Sequence, residues 1–268
     1  MKTLAAVLAA AALAGCVPYN TNRVATVPHA SAPMRTGAPL DARVALTGGA
    51  SNLADAVDPS LGDASAGIEV PSTQLRGDLR ARATDHLEVG LVHEQGVAAT
   101  AHALDDTQPP VDAGNPVGYG LIATYAVPTG DPAWHVGLTA EALVWSVPWV
   151  EYASCADCET PITTMSRGRD TVSTLGLGGN VNFKAGRVTY FGGLFARNQP
   201  TNTQKGQTTA PGLGGVEDGP MNLLVNVGVE VALGSGVSGL ILAHQTLSRD
   251  PVVYGPGLGL ALTVPLLR

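Results

Sequence analysis

Met221-Asn222-Leu223-Leu224-Val225-Asn226-Val227-Gly228-Val229-Glu230-Val231-Ala232-Leu233 is the stretch that decides the fold. Its odd positions are all Met, Leu or Val. Its even positions, apart from Leu224 and Ala232, are Asn, Gly and Glu. Successive side chains of a strand point to opposite faces, so this period of two predicts a strand with one apolar and one largely polar face. The same period runs through Gln74 to Ala83, where Leu75, Gly77, Leu79 and Ala81 alternate with Arg76, Asp78, Arg80 and Arg82. It continues through Leu87, Val89 and Leu91, through Val117 to Val127, through Val136 to Val144 and through Leu175 to Phe183. The pattern predicts about ten strands, near 41–48, 67–83, 86–96, 115–127, 134–149, 170–184, 187–198, 220–233, 236–248 and 252–265. Phe191 and Phe195 fall on the opposite parity from Tyr190, so a common apolar face would require a bulge there.

The connections alternate in length. Long ones are expected near 49–66, 97–114, 150–169 and 199–219. Short ones are expected at Thr84-Asp85, Pro128 to Ala133, Lys184 to Gly186 and Gly234 to Gly236. Only the connection around Ser248 to Pro251 is short where a long one is due. Alternation by itself does not say which face is wet. A soluble lipid-anchored sandwich or barrel would turn the apolar face inward; a membrane barrel would turn it outward. Loop alternation, the Gly, Thr and Asn on the polar face, and only three lysines favour the membrane form. Tyr125, Trp134, Phe183 and Tyr190 all fall on the apolar face at short-turn ends, where an aromatic girdle belongs. The domain is thus similar to small bacterial outer-membrane β-barrels, which implies an antiparallel up-and-down barrel of about ten strands over residues 41–268.

Composition agrees. Charged residues are 14%, mean hydropathy is +0.16 and Gly numbers 33 of 268. Glycine at that level disfavours helices, and a net charge of −7 argues against a nucleic-acid partner. The N-terminus has Lys2, an unbroken apolar run from Leu4 to Leu13, and then Leu13-Ala14-Gly15-Cys16. The run is shorter than the roughly 20 residues of a membrane-spanning helix and has the flanks of a secretory signal. The tetrapeptide resembles the bacterial lipobox. That resemblance implies cleavage before Cys16, so that 1–15 is a lipoprotein signal peptide. It also implies a diacylglycerol on the Cys16 thiol and usually an acyl chain, such as palmitate, on its new amino group. Residues 16–40, with Pro18, Pro28, Pro33 and Pro39, read as an extended tether. Val17 in place of Asp points to the outer membrane. Both ends of an even-stranded barrel lie on its short-turn side, so the N-terminus is expected at the periplasmic face.

Cys155 and Cys158 form Cys-Ala-Asp-Cys in a polar segment. In an exported protein the leading reading is a local disulfide. A redox-active pair and a zinc site with two further ligands are weaker alternatives. On the polar faces, Arg76, Asp78, Arg80 and Arg82 would meet His86, Glu88, Glu94, Glu141 and Glu230. In a narrow barrel these charges must pair, because an isolated charge away from water costs several kcal/mol. They read either as a charged plug or as the lining of a narrow, charge-selective pore. His244 near Ser248 and His86 near Asp85 make no catalytic constellation, so no enzymatic role, cofactor or metal is expected, and no protein partner is indicated. Gly118, Gly120, Gly176 and Gly178 lie within strands and read as relief of crowding.

Overall fold

A computed structural model describes residues 16–21, 40–49, 53–57, 65–69, 73–97, 100–103, 111–112, 114–155, 162–198, 221–247 and 256–267. Ten strands make the barrel: β1 (Leu40–Gly49), β2 (Thr73–Arg82), β3 (Leu87–Val97), β4 (Val117–Val127), β5 (Trp134–Cys155), β6 (Ile162–Ala185), β7 (Val188–Asn198), β8 (Met221–Gly234), β9 (Val237–Thr246) and β10 (Gly257–Leu267). Each pairs antiparallel with its sequence neighbours, and β10 pairs with β1, so the sheet closes on itself. Closure removes every free edge of the ring, which an open sheet in a membrane would leave unpaired.

The strands are turned inside out relative to a soluble protein. Arg76, Asp78, Glu94 and Asn226 are buried, whereas Leu121, Leu177, Val227 and Leu258 on the alternate positions are exposed. On β8 the apolar positions from Leu223 to Leu233 rise about 25 Å along the barrel axis, given ~3.4 Å per residue and a tilt of ~40°. That matches the apolar band of a membrane barrel. The reading of a soluble domain with an apolar interior does not hold. Tyr125, Trp134, Phe183 and Tyr190 lie on the outward face, and the Trp134 and Phe183 rings pack 4.9 Å apart. No helix among the described residues is long and apolar enough to cross a membrane.

The short turns suit their chemistry. β8 and β9 are joined through Ser235 and Gly236, both with positive φ (51° and 78°), the requirement of a tight hairpin whose twist matches its strands. Pro265, which has no N–H to give to a ladder, sits at a register shift against β1.

Three details differ from the sequence expectation. β10 begins at Gly257, so the last connection spans 247–256 and is long, where the sequence suggested a short one. β5 and β6, of 22 and 24 residues, stay paired to Ser154 and Ile162, so what reads as a long loop near 150–169 is mostly a two-stranded arm. Segments 53–57, 65–69, 100–103 and 111–112 in the first two long connections form a separate four-stranded antiparallel sheet, which is why β2 starts at Thr73 rather than near 67.

Leu40 and Leu267, the ends of the barrel proper, pair with each other at the short-turn end, as an even strand count requires. Residues Cys16–Thr21, however, pair with Val150–Cys155, placing Cys16 opposite Cys155 on the arm at the long-connection end. A strand is drawn to an unpaired backbone edge, and the arm of β5 offers one above the last residue paired with β4.

Candidate functional site

The inward side chains fill the barrel. On β2 the period of two aims Gln74, Arg76, Asp78 and Arg80 inward, all buried. β3 adds Glu88 and Glu94, and β5 adds Glu141, Leu143 and Trp145. β7 adds Arg197, and around a ring of ten strands β7 lies five strands from β2 in either direction. Arg197 therefore comes from the opposite wall.

These groups meet at the centre. The Arg197 guanidinium donates to Glu94 Oε1 and Oε2 at 3.0 and 2.9 Å and to Glu141 Oε1 at 3.0 Å. Arg76 donates to Glu141 Oε2 at 3.0 Å and also bonds Glu94. Two arginines and two glutamates thus alternate around one knot. Arg76 Nε reaches Asp78 at 2.8 Å, Arg80 donates to the other oxygen of Asp78 at 3.0 Å, and Gln74 donates to Glu94 at 2.6 Å. The Arg197 guanidinium carbon stands 5.7 Å from the centre of the Trp145 ring, whose indole N–H donates to Thr174 at 2.9 Å. Such charges tolerate burial because each of these carboxylates is shared by two cations, and Arg76 and Arg197 each bond more than one carboxylate.

A second polar layer lies toward the short turns. Arg43 donates to Thr263 at 3.0 Å, Ser238 donates to Glu230, and Asp41 and Glu88 are buried nearby along β1 and β3. Of the charges singled out from sequence, Arg76, Asp78, Glu94 and Glu141 come together in the central knot, with Arg80 attached through Asp78. Glu88 and Glu230 belong to the lower layer, and Arg82 stands half-buried at its mouth. His86 departs from expectation: it lies exposed in the β2–β3 turn, its ring 6.3 Å from that of Tyr125. His244 is buried opposite Asn226, and its suggested neighbour Ser248 lies outside the described residues. Cys155 ends β5, and Cys158 also lies outside the described residues.

Arg43, Asp41, Gln74 and Arg197 were not singled out from sequence, though each shares the inward parity of its strand. Phe191 and Phe195 face inward without a bulge; β7 keeps an unbroken register with both neighbours. Phe191 packs with Leu224, Leu240 and Leu242 in an apolar cluster. Glycines opposite the large side chains make the room. A Cβ on Gly118 would stand 2.6 Å from the Trp145 ring, and one on Gly176 would stand 2.7 Å from Phe195 and 2.8 Å from Glu141. No group of His, Cys, Asp and Glu suited to a metal occurs among the described residues.

No family model matches the chain, and no curated protein does. Solved structures do. The translocator domain of autotransporter NalP from Neisseria meningitidis is similar at 13% identity and a TM-score of 0.50, over 85% of this chain and 88% of that one. LpxR from Salmonella typhimurium aligns at 10% identity and a TM-score of 0.43, over 84% and 100% of the two chains. The KdgM porin in complex with disordered oligogalacturonate aligns at 8% identity and 0.38, over 85% and 98%. The likeness to the translocator domain is one of fold: this chain is a closed ten-stranded antiparallel barrel of the kind found in bacterial outer membranes.

Proposed function

We propose that this chain is a lipid-anchored outer-membrane barrel with a closed lumen, a structural or adhesive platform that carries the β5–β6 arm and the four-stranded sheet at one end. The observation that supports it best is Arg197 crossing from β7 to share Glu94 and Glu141 with Arg76 of β2. A knot tied between opposite walls occupies the place where a solute would pass. The geometry favours the plug over the charge-selective pore, because the cations and anions satisfy each other instead of forming a ring of one sign. In planar bilayers the folded barrel is expected to give no conductance steps. Steady single-channel openings of the unmodified protein would overturn the reading.

The anchor rests on Leu13-Ala14-Gly15-Cys16. In this reading residues 1–15 are removed, 16–40 form the tether and 41–268 the membrane domain. A thioether-linked lipid occupies the Cys16 thiol, so Cys155 is left to pair with Cys158. Mass spectrometry of the mature N-terminal peptide should find diacylglycerol on Cys16, and Cys16→Ser should abolish it. An N-terminal peptide with a free Cys16 thiol, or one linked to Cys155, would refute the anchor. Labelling intact cells with a membrane-impermeant reagent would then tell which face carries the arm.

A further inference from the structure

The outer wall, rich in exposed Leu and Val, carries a depression across β1 to β6. Two register rows cross strands β1 to β6 side by side. One runs Leu40, Ala81, Val89, Ala123, Ala140, Leu177; the next runs Leu79, Leu91, Leu121, Ala142, Leu175. Val89, Leu91 and Leu121 stand on one side and Leu175 and Leu177 on the other, with Ala123, Ala140 and Ala142 low between them. Ala123, Ala140 and Ala142 are neighbours on β4 and β5, and no side chain there rises beyond a methyl group. The result is an apolar groove of about 710 Å³. Its rim residues Leu91, Leu121, Leu175 and Leu177 are 58–67% exposed. Glu141, the charged residue along it, turns its side chain into the lumen knot.

The groove lies within the hydrocarbon layer. Its floor strand β4 carries an outward Tyr125 at the short-turn end and an outward Tyr119, packed 4.7 Å from His93, at the other. Rings of this kind sit at the two headgroup levels, so what fills the space between them is apolar and flexible. We propose that the groove seats an acyl chain of a diacyl phospholipid from the surrounding leaflet. A second copy fits less well: two concave patches meeting about a two-fold axis would enclose a void. Lipid tails are as apolar as leucine, so burial against water contributes nothing here. The chain is held by dispersion contacts with the alanine floor and leucine rim, which a void would forfeit.

The inference requires only that the barrel reside in a membrane, and it is independent of the closed lumen and of Cys16. The test is native mass spectrometry of the full-length mature protein extracted from membranes in mild detergent. One non-covalent phospholipid mass per barrel is expected to survive detergent exchange. Ala140→Trp should lower that occupancy at least tenfold, and the smaller Ala123→Leu should lower it severalfold if tryptophan impairs folding. Val227→Phe, on the far outer wall, should leave it unchanged, with folding of each variant checked by heat-dependent gel mobility. The proposal fails if the unmodified barrel retains no lipid, if Val227→Phe loses as much as Ala140→Trp, or if the retained species is a lipid-free dimer. Absence of the protein from the outer-membrane fraction would count against the proposed function and leave the lipid count readable.

Discussion

The lumen has two unlike halves, and their contrast shows how a narrow barrel is kept closed. Along β2, β3 and β5 the wall is charged, and its side chains are held by directional bonds that end in the Arg76–Glu94–Arg197–Glu141 knot. Along β7, β8 and β9 an apolar cluster of Phe191, Leu224, Leu240 and Leu242, with Phe195 beside it on β7, is set among buried polar residues such as Asn226 and Glu230. Charges close space only if every one finds a partner. Apolar side chains close space only if their shapes fit. Arg197 belongs to the apolar wall by strand and to the charged wall by bonding, so it ties the halves together. Gly176 is the seam from the other side, since its missing Cβ leaves room for Phe195 and Glu141 at once.

The contrast can be broken from either half, and the largest effect is expected on the charged side. Glu94→Ala removes one of the two carboxylates shared by Arg76 and Arg197 and leaves two buried guanidinium groups on Glu141, one counter-charge short. The loss should be about 4 kcal/mol, the range for breaking a buried ion pair, read from urea unfolding of the folded barrel in micelles. A loss below about 1 kcal/mol would mean that water already carries these charges, as at an exposed pair. Phe195→Ala should cost about 3 kcal/mol through the cavity it leaves. If it equals or exceeds Glu94→Ala, the ranking of the halves is wrong.

Gly176→Ala tests the seam. Its methyl group would overlap both Phe195 and Glu141, and overpacking of this kind costs about 2 kcal/mol. Combined with Phe195→Ala the penalty should be less than the sum of the two, because the cavity takes up the methyl group. Strict additivity in that double-mutant cycle would show that Gly176 and Phe195 do not share space. The smallest effect is expected at Thr124 and Thr139, directly paired on β4 and β5, whose hydroxyls bond at 3.2 Å. Thr124→Val should cost about 1 kcal/mol, the net contribution of one neutral hydrogen bond. A loss of several kcal/mol there would move the polar anchor of the lumen away from the knot.

Much of this was legible in the residues. The alternation in Met221 to Leu233 and Gln74 to Ala83 marked the inward and outward faces correctly, because a strand leaves a side chain only two directions. Glycines at 118, 120, 176 and 178 were read as relief of crowding, and Gly118 and Gly176 do face Trp145 and Phe195. Arg197 was passed over because it closes a strand whose inward positions, Phe191 and Phe195, were taken as out of place. Once aromatic residues are allowed in a lumen, the same parity puts all three on one face. The arm of β5 and β6 was hidden for another reason: beyond the barrel both faces are free of lipid, so the period that marks a membrane strand need not continue.

The sequence by itself determined the strands, their faces, the turns and the ring-like up-and-down order, since each follows from local periodicity and turn chemistry. Only the tertiary structure decided which inward residues touch. Arg76 and Arg197 are far apart in sequence and become partners because ten strands close with β2 opposite β7. The groove of alanines was likewise undecidable from any single strand. It exists because residues from six strands fall into the same register rows, and register across a closed sheet is a property of the ring as a whole.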